Sequence, residues 1–181
     1  MARIPYYDRA NASEEYAKLL AKLPDDINVM RMLSHAEPEL KPFLKFTDAI
    51  LRKSAIKKWY LELALLRVGH LSKAAYEIHQ HEHIARGVGG TPEKIAAIAE
   101  GWTSPVFNEH EKEILRYTDD VVQNVRASDY TFVPLSKRHT HQEMIELTMG
   151  IGCYMMVSRL LNTFDVEIEE GGDKLVEIKR D

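Results

Sequence analysis

Three polar residues stand out against apolar surroundings: Glu62, Glu77 and His81. Glu62 is the only charged residue in WYLELALL, residues 59–66. That stretch is apolar on nearly every side of a helical wheel, so the helix is expected to be buried all round. A carboxylate in such a place costs several kcal/mol unless it is paired or protonated. Glu77 and His81 are four residues apart and so share a helical face. With Ala74 at zero and ~100° per residue, Ile78, His81 and Ala85 fall within about 40°, and Glu77 within about 60°. His81 is therefore a reasonable partner for Glu62. Burial pushes a carboxyl pKa up, while a carboxylate beside an imidazole favours its charged form. Together these effects can hold a proton donor near neutrality, as general acid–base chemistry requires.

Four of the eight histidines lie in GHLSKAAYEIHQHEH, residues 69–83. His79 and His83, with Glu82 nearby, invite a metal reading. Zinc needs three or four ligands in fixed geometry. The stretch lacks an HExxH arrangement, and a third ligand would have to come from elsewhere. His79, His83 and Arg86 fall at ~120–180° on the wheel, so this is read as a solvated face and no metal or cofactor is assigned. Plainer readings exist for the trio too. A histidine on an apolar stripe is often a satisfied core residue, and Glu62 could be tied to Arg67 or Arg86. Tyr76, about 200° from Ala74, reads as a packing aromatic that could also reach the first helix or a neighbouring subunit. Cys153, in GIGCYMM, reads as a small core residue.

The elements that must position these residues read as helices. Glycine and proline are concentrated between the apolar stretches, and long strand-like alternation is absent. Ser13 is expected to cap a helix through Leu23, and Pro24 ends it. A short amphipathic segment follows from about Ile27 to Leu33, then a helix from Pro38 to Leu51 or Arg52. Residues 56–86 read as two helices broken near Gly69–Ser72. Thr91 caps a helix to about Glu100. A loop through Phe107 leads to a helix from Asn108 or Glu109 to about Val125. Pro134 opens a short turn, and Thr140 precedes a last helix through about Phe164. Both ELALLRVGHL and ELTMGIGCYM, from Glu62 and Glu146, begin Glu-Leu and continue apolar, a faint hint of duplication.

The chain has 181 residues, 45% of them apolar, and a net charge of −4. That suits one core and a single domain spanning 1–181, and is a poor match to a nucleic-acid binder, which should be basic. No uninterrupted apolar run reaches the roughly 18 residues of a membrane span. The start has no signal-peptide pattern, so a cytoplasmic enzyme domain is the default reading. One cysteine excludes an internal disulfide and two-cysteine redox chemistry within the chain.

ELALLRVGHLSKAAYEIHQHEHIARGVGGTPEKIAAI resembles the central motif of the carboxymuconolactone decarboxylase family, which includes the AhpD-like proteins. Glu62, Tyr76, Glu77, His81, Ala85, Arg86, Thr91, Glu93 and Ile95 fit its pattern. The resemblance covers about 38–170, leaving 1–37 as an N-terminal extension and 167–181 as a charged tail, either mobile or used in subunit contacts. In the family's peroxidase branch a Cys-x-x-Cys pair follows the glutamate by 12 and 15 positions. Here those positions are Ala74 and Glu77, so no dithiol can form. The resemblance implies an all-α, AhpD-like bundle of about seven or eight helices. It also implies homo-oligomers (trimers or hexamers), with the aromatics Tyr6, Tyr7 and Trp59 offered for such contacts.

By resemblance to the decarboxylase branch, the expected activity is that of a cofactor-independent lyase on a small lactone or carboxylic acid. His81 would be proton donor or shuttle, with Glu62 and Glu77 tuning it. Arg67 and Tyr76 are the substrate-binding candidates. The extra N-terminal residues could close a different pocket from that of a minimal decarboxylase. The alternatives are a non-catalytic ligand-binding or interaction module, and a peroxidase-related protein that has lost its dithiol.

Overall fold

The computed structural model describes residues 1–24 and 26–170. It is all-α, as expected, with nine α-helices among the described residues. They are α1 (Glu14–Leu20), α2 (Asn28–Leu33), α3 (Glu37–Asp48), α4 (Lys58–Leu71), α5 (Ala75–Gly87), α6 (Pro92–Ala97), α7 (Glu109–Asn124), α8 (Asp129–Ser136) and α9 (His141–Thr163).

The helix starts follow from local chemistry. Ser13 and Thr91 accept the backbone N–H groups of Tyr16 and Lys94. Asn108 with Glu111 and Thr140 with Glu143 form reciprocal capping boxes. Pro38 and Pro92 sit in first turns, where the missing N–H costs nothing. Helix α8 was not expected. Pro134 lies inside it, and its missing N–H removes one bond, to the carbonyl of exposed Tyr130, without ending the helix.

Helix α4 is the axis of the fold. Every residue from Leu61 to Gly69 is buried, and α5, α7 and α9 pack around it. Helix α9 can lie against α4 because Gly150 faces it: a Cβ there would stand 3.0 Å from Leu61 Cδ1. Among the described residues α9 is the one helix long and apolar enough on average to cross a membrane. Half of that apolar window is buried inside the molecule, as in a core helix. The α4–α5 break falls at Ser72–Ala74, with Lys73 in the left-handed region at φ 53°.

Two expectations about the chain's edges change. Trp59 is not an exposed contact residue: it is buried, and its Nε1–H donates to Glu111 at 2.7 Å. The start of the charged tail folds back on the molecule. Asn28 Nδ2 donates to the Glu167 carbonyl, and the Asn28 N–H to Glu169 Oε1. The rest of that tail lies outside the described residues.

Candidate active site

Helices α4 and α5 bring Glu62, Glu77 and His81 together. His81 Nδ1 lies 2.7 Å from Glu62 Oε2, and its Nε2 lies 3.4 Å from Glu77 Oε2. The three residues are 3%, 6% and 4% exposed. The wheel placed Glu77 and His81 on one face, and the close antiparallel return of α5 onto α4 supplies the rest. The imidazole is thus held between two carboxyl groups, one on each ring nitrogen. The ring of Tyr154, from α9, meets it edge to face at 4.7 Å.

The electrostatics of this group are set by burial and by like and unlike charge. Burial raises the pKa of Glu77; the His81 charge opposes that and the Glu62 charge adds to it, leaving Glu77 above its ordinary value. Burial lowers the His81 pKa, but the Glu62 charge and hydrogen bond, then the Glu77 charge, carry it above the ordinary imidazole value. Both groups therefore retain protons that their exposed counterparts would release.

The trio lines a cavity of about 320 Å³, at the lower end of the range for small-molecule sites. Its walls are largely apolar, with Val29, Met30 and Leu33 from α2, Phe43 from α3, Ile84 from α5 and Val157 from α9. The N-terminal helices thus do close the pocket. Tyr76 also lines it. The wheel turned Tyr76 away from the α5 stripe, but α2 and the segment after α9 cover that side as well. Its hydroxyl donates to Glu169 at 2.6 Å and lies 3.4 Å from the Val29 N–H.

Arg67 is not a cavity residue, which corrects its assignment to substrate binding. Its Nε and Nη2 donate to the two carboxylate oxygens of Asp119, at 2.6 and 3.0 Å. Its Nη1 donates to the carbonyls of Ile98 and Ala99. All this ties α4 to α7 and to the end of α6. The cations that do line the cavity are Arg52 and Lys58, which sequence reasoning missed. Charges at helix ends usually read as solvated, so nothing local marked them. Tyr154 was missed because it sits in an apolar stretch of α9, where an aromatic reads as packing.

Arg86 is exposed and pairs with Glu82 at 3.3 Å, on the outer face as the wheel has it. The rings of His79 and His83 meet edge to face on that side. Among the described residues no group of three or more His, Cys, Asp or Glu side chains is arranged to hold a metal ion. Of the two positions that carry cysteines in the peroxidase branch, Ala74 is fully buried before α5, and Glu77 reaches the cavity. Cys153 is buried, and burial followed by the Glu77 charge pushes its thiol up to about 11.

The sequence profile of the carboxymuconolactone decarboxylase family matches residues 38–120. No curated protein matches the chain significantly in sequence. Similar solved structures include an uncharacterised peroxidase-related protein with an alkylhydroperoxidase AhpD core from Ralstonia eutropha JMP134. It has a TM-score of 0.79 and 15% identity, with 96% of this chain and 95% of that one covered. The debrominase Bmp8, a cysteine-to-alanine variant in complex with 2,3,4-tribromopyrrole, gives a TM-score of 0.71 and 19% identity, covering 95% and 96%. A protein of unknown function from Agrobacterium tumefaciens, related to the antioxidant defence protein AhpD, gives 0.68 and 23%, covering 74% and 93%. Identities this low show the shared fold.

Proposed function

The chain belongs to the carboxymuconolactone decarboxylase/AhpD-like family, and from that premise we propose a cofactor-independent acid–base enzyme. It acts on a small lactone or carboxylic acid in the manner of a carboxy-lyase. The observation that carries this reading is the buried imidazole of His81 held between Glu62 and Glu77 on the wall of a largely apolar cavity.

Each residue has a role that its environment supports. Glu62 accepts the Nδ1–H bond of His81, which fixes the ring and stabilises its charged form. The Nε2–H is then the proton available on the other side of the ring. Glu77, held protonated more readily than an exposed acid, can restore that proton after transfer. In decarboxylation of an unsaturated lactone acid, the bond to the carboxyl carbon breaks and CO₂ leaves. The bonding pair passes into a dienolate, and a new C–H bond forms with the proton from Nε2. No electrons are gained or lost overall, so no redox partner is required. Thiol attack fits poorly, because the dithiol positions hold Ala74 and Glu77 and the remaining thiol is buried with a raised pKa.

The test is turnover of a panel of unsaturated γ-lactone carboxylic acids in D₂O, followed by CO₂ release and mass spectrometry. The expected result is one deuterium on the product carbon. His81→Asn should lower turnover by about 10²–10⁴-fold, the usual share of a general acid, with the fold intact by circular dichroism. A histidine ring that titrates in NMR as a free surface imidazole, together with no turnover of the panel, would leave a non-catalytic binding module.

A further inference from the structure

The cavity has a second polar end that the proton relay leaves unused. Helix α3 runs on into a π-helical turn, Ala49–Lys53, which meets the first turn of α4. Asp48, Arg52 and Lys58 line the cavity at this corner. Such π turns are frequent at functional sites, where they shift side chains out of ordinary helical phase. The charge of Asp48 is already matched. Arg52 Nε lies 3.3 Å from one of its oxygens, and Lys53 Nζ lies 3.2 Å from the other.

Lys58 is in a different situation. Its Nζ donates to the backbone carbonyl of Leu51 at 2.7 Å, which pins the ammonium at the corner. An ammonium carries three donors, and among the described residues Lys58 has no carboxylate partner. Lys58 precedes Glu62 by four residues on α4, so about one helical turn, roughly 6 Å along the axis, separates the two Cα atoms. Apolar side chains, Phe43 and Leu51 among them, line the same cavity. In such surroundings a charge–charge contact is stronger than in water.

We propose that Lys58 is the specificity-determining residue that receives the carboxylate the substrate retains. The substrate class is then a compact dicarboxylate with an apolar body, its retained carboxylate at the α3–α4 corner and the carbon that loses CO₂ facing His81. This rests on the acid–base reading of the same cavity, and it gives Lys58 the part that Arg67 is too firmly held to play. A carboxylate to be lost as CO₂ is poorly placed on a cation, which stabilises it before the bond breaks. Lys58 therefore orients the substrate through its other acid group.

The experiment uses benzoate as the probe and benzamide as its uncharged counterpart, with binding followed by NMR and calorimetry. The unsubstituted protein should bind benzoate at least about tenfold more tightly than benzamide, a modest value for a charge-assisted contact. Benzoate should shift the Lys58 side-chain signals more than those of other lysines. Lys58→Met should reduce the preference to below about twofold and Lys58→Arg should restore most of it. Lys58→Gln serves in place of Lys58→Met if that variant does not fold. Equal binding of the two probes, no binding of benzoate up to about 10 mM, or a preference that survives in the folded Lys58→Met or Lys58→Gln protein would overturn the assignment. His81→Asn should keep the preference. A preference for benzoate in a protein whose His81 titrates as a free imidazole would sink the proton relay and keep the anion anchor.

Discussion

The guanidinium of Arg67 closes directly over Gly101: a Cβ at that glycine would lie 2.7 Å from Nη2, and its backbone sits at φ 74°. Gly101 follows α6, so the arginine from the central helix reaches the chain where only hydrogen fits. The contact belongs to the framework that holds α4, α6 and α7 in place.

Arg67→Met should therefore destabilise the protein by about 3 kcal/mol or more, the usual cost of stripping one partner from a largely buried ion pair. Gly101→Ala should cost more than about 1 kcal/mol, since alanine disfavours the left-handed backbone and would displace the guanidinium. Denaturant unfolding reads both. In molecules that remain folded, the benzoate preference should be unchanged.

The contribution of the Glu77–His81 pair to stability should fall as pH rises. Glu77 and His81 both have folded-state pKa values above their ordinary values of 4.5 and 6.5. Between the unfolded and folded values of each group, the folded protein holds more protons than the unfolded chain. The stabilisation is complete below the unfolded value and is lost as pH climbs through the folded one. The Glu77 contribution begins to fade above about pH 4.5 and that of His81 above about pH 6.5. His70 and His110, with lowered pKa values, act in the opposite sense, so the decline is read as the difference between the unsubstituted protein and its Glu77→Gln variant in chemical denaturation at a series of pH values. Glu77→Gln should flatten its lower part, and an unchanged slope would contradict the protonation assigned to Glu77.

Cys153 should be inert. With its thiol pushed up to about 11 and its side chain buried, alkylation by iodoacetamide at neutral pH should run at least about tenfold slower than for a free thiol. Cys153→Ala should leave turnover within about twofold, because a small core residue is replaced by a smaller one outside the relay. Mass spectrometry and the CO₂ assay check the two statements.

The helices α4 and α5 and the trio they carry were legible because burial leaves a phase in the sequence. A lone carboxylate in an apolar run and a Glu–His pair on one face are local patterns, and each maps onto one helix. The fold class was legible for the same reason, through caps such as Thr91 and Thr140. Arg67 was misplaced because its partner Asp119 is 52 positions away, and no local pattern reports where a guanidinium will point. Helix α8 was hidden by Pro134, whose cost depends on an exposed carbonyl that the sequence does not reveal. Lys58 and Arg52 were invisible as cavity residues because the pocket they line is assembled by chain entering from α2 and α3.

That assembly separates two properties that enzymes often keep together. All three relay residues lie within 38–120, the stretch that matches the family profile. Part of the chamber around them, Val29, Met30, Leu33, Tyr154 and Val157, comes from outside it. A descendant could thus exchange the molecule it accepts by editing its two ends while its proton machinery stayed untouched. Grafting the first fifty residues of one such chain onto the middle of another would be a direct way to retarget it.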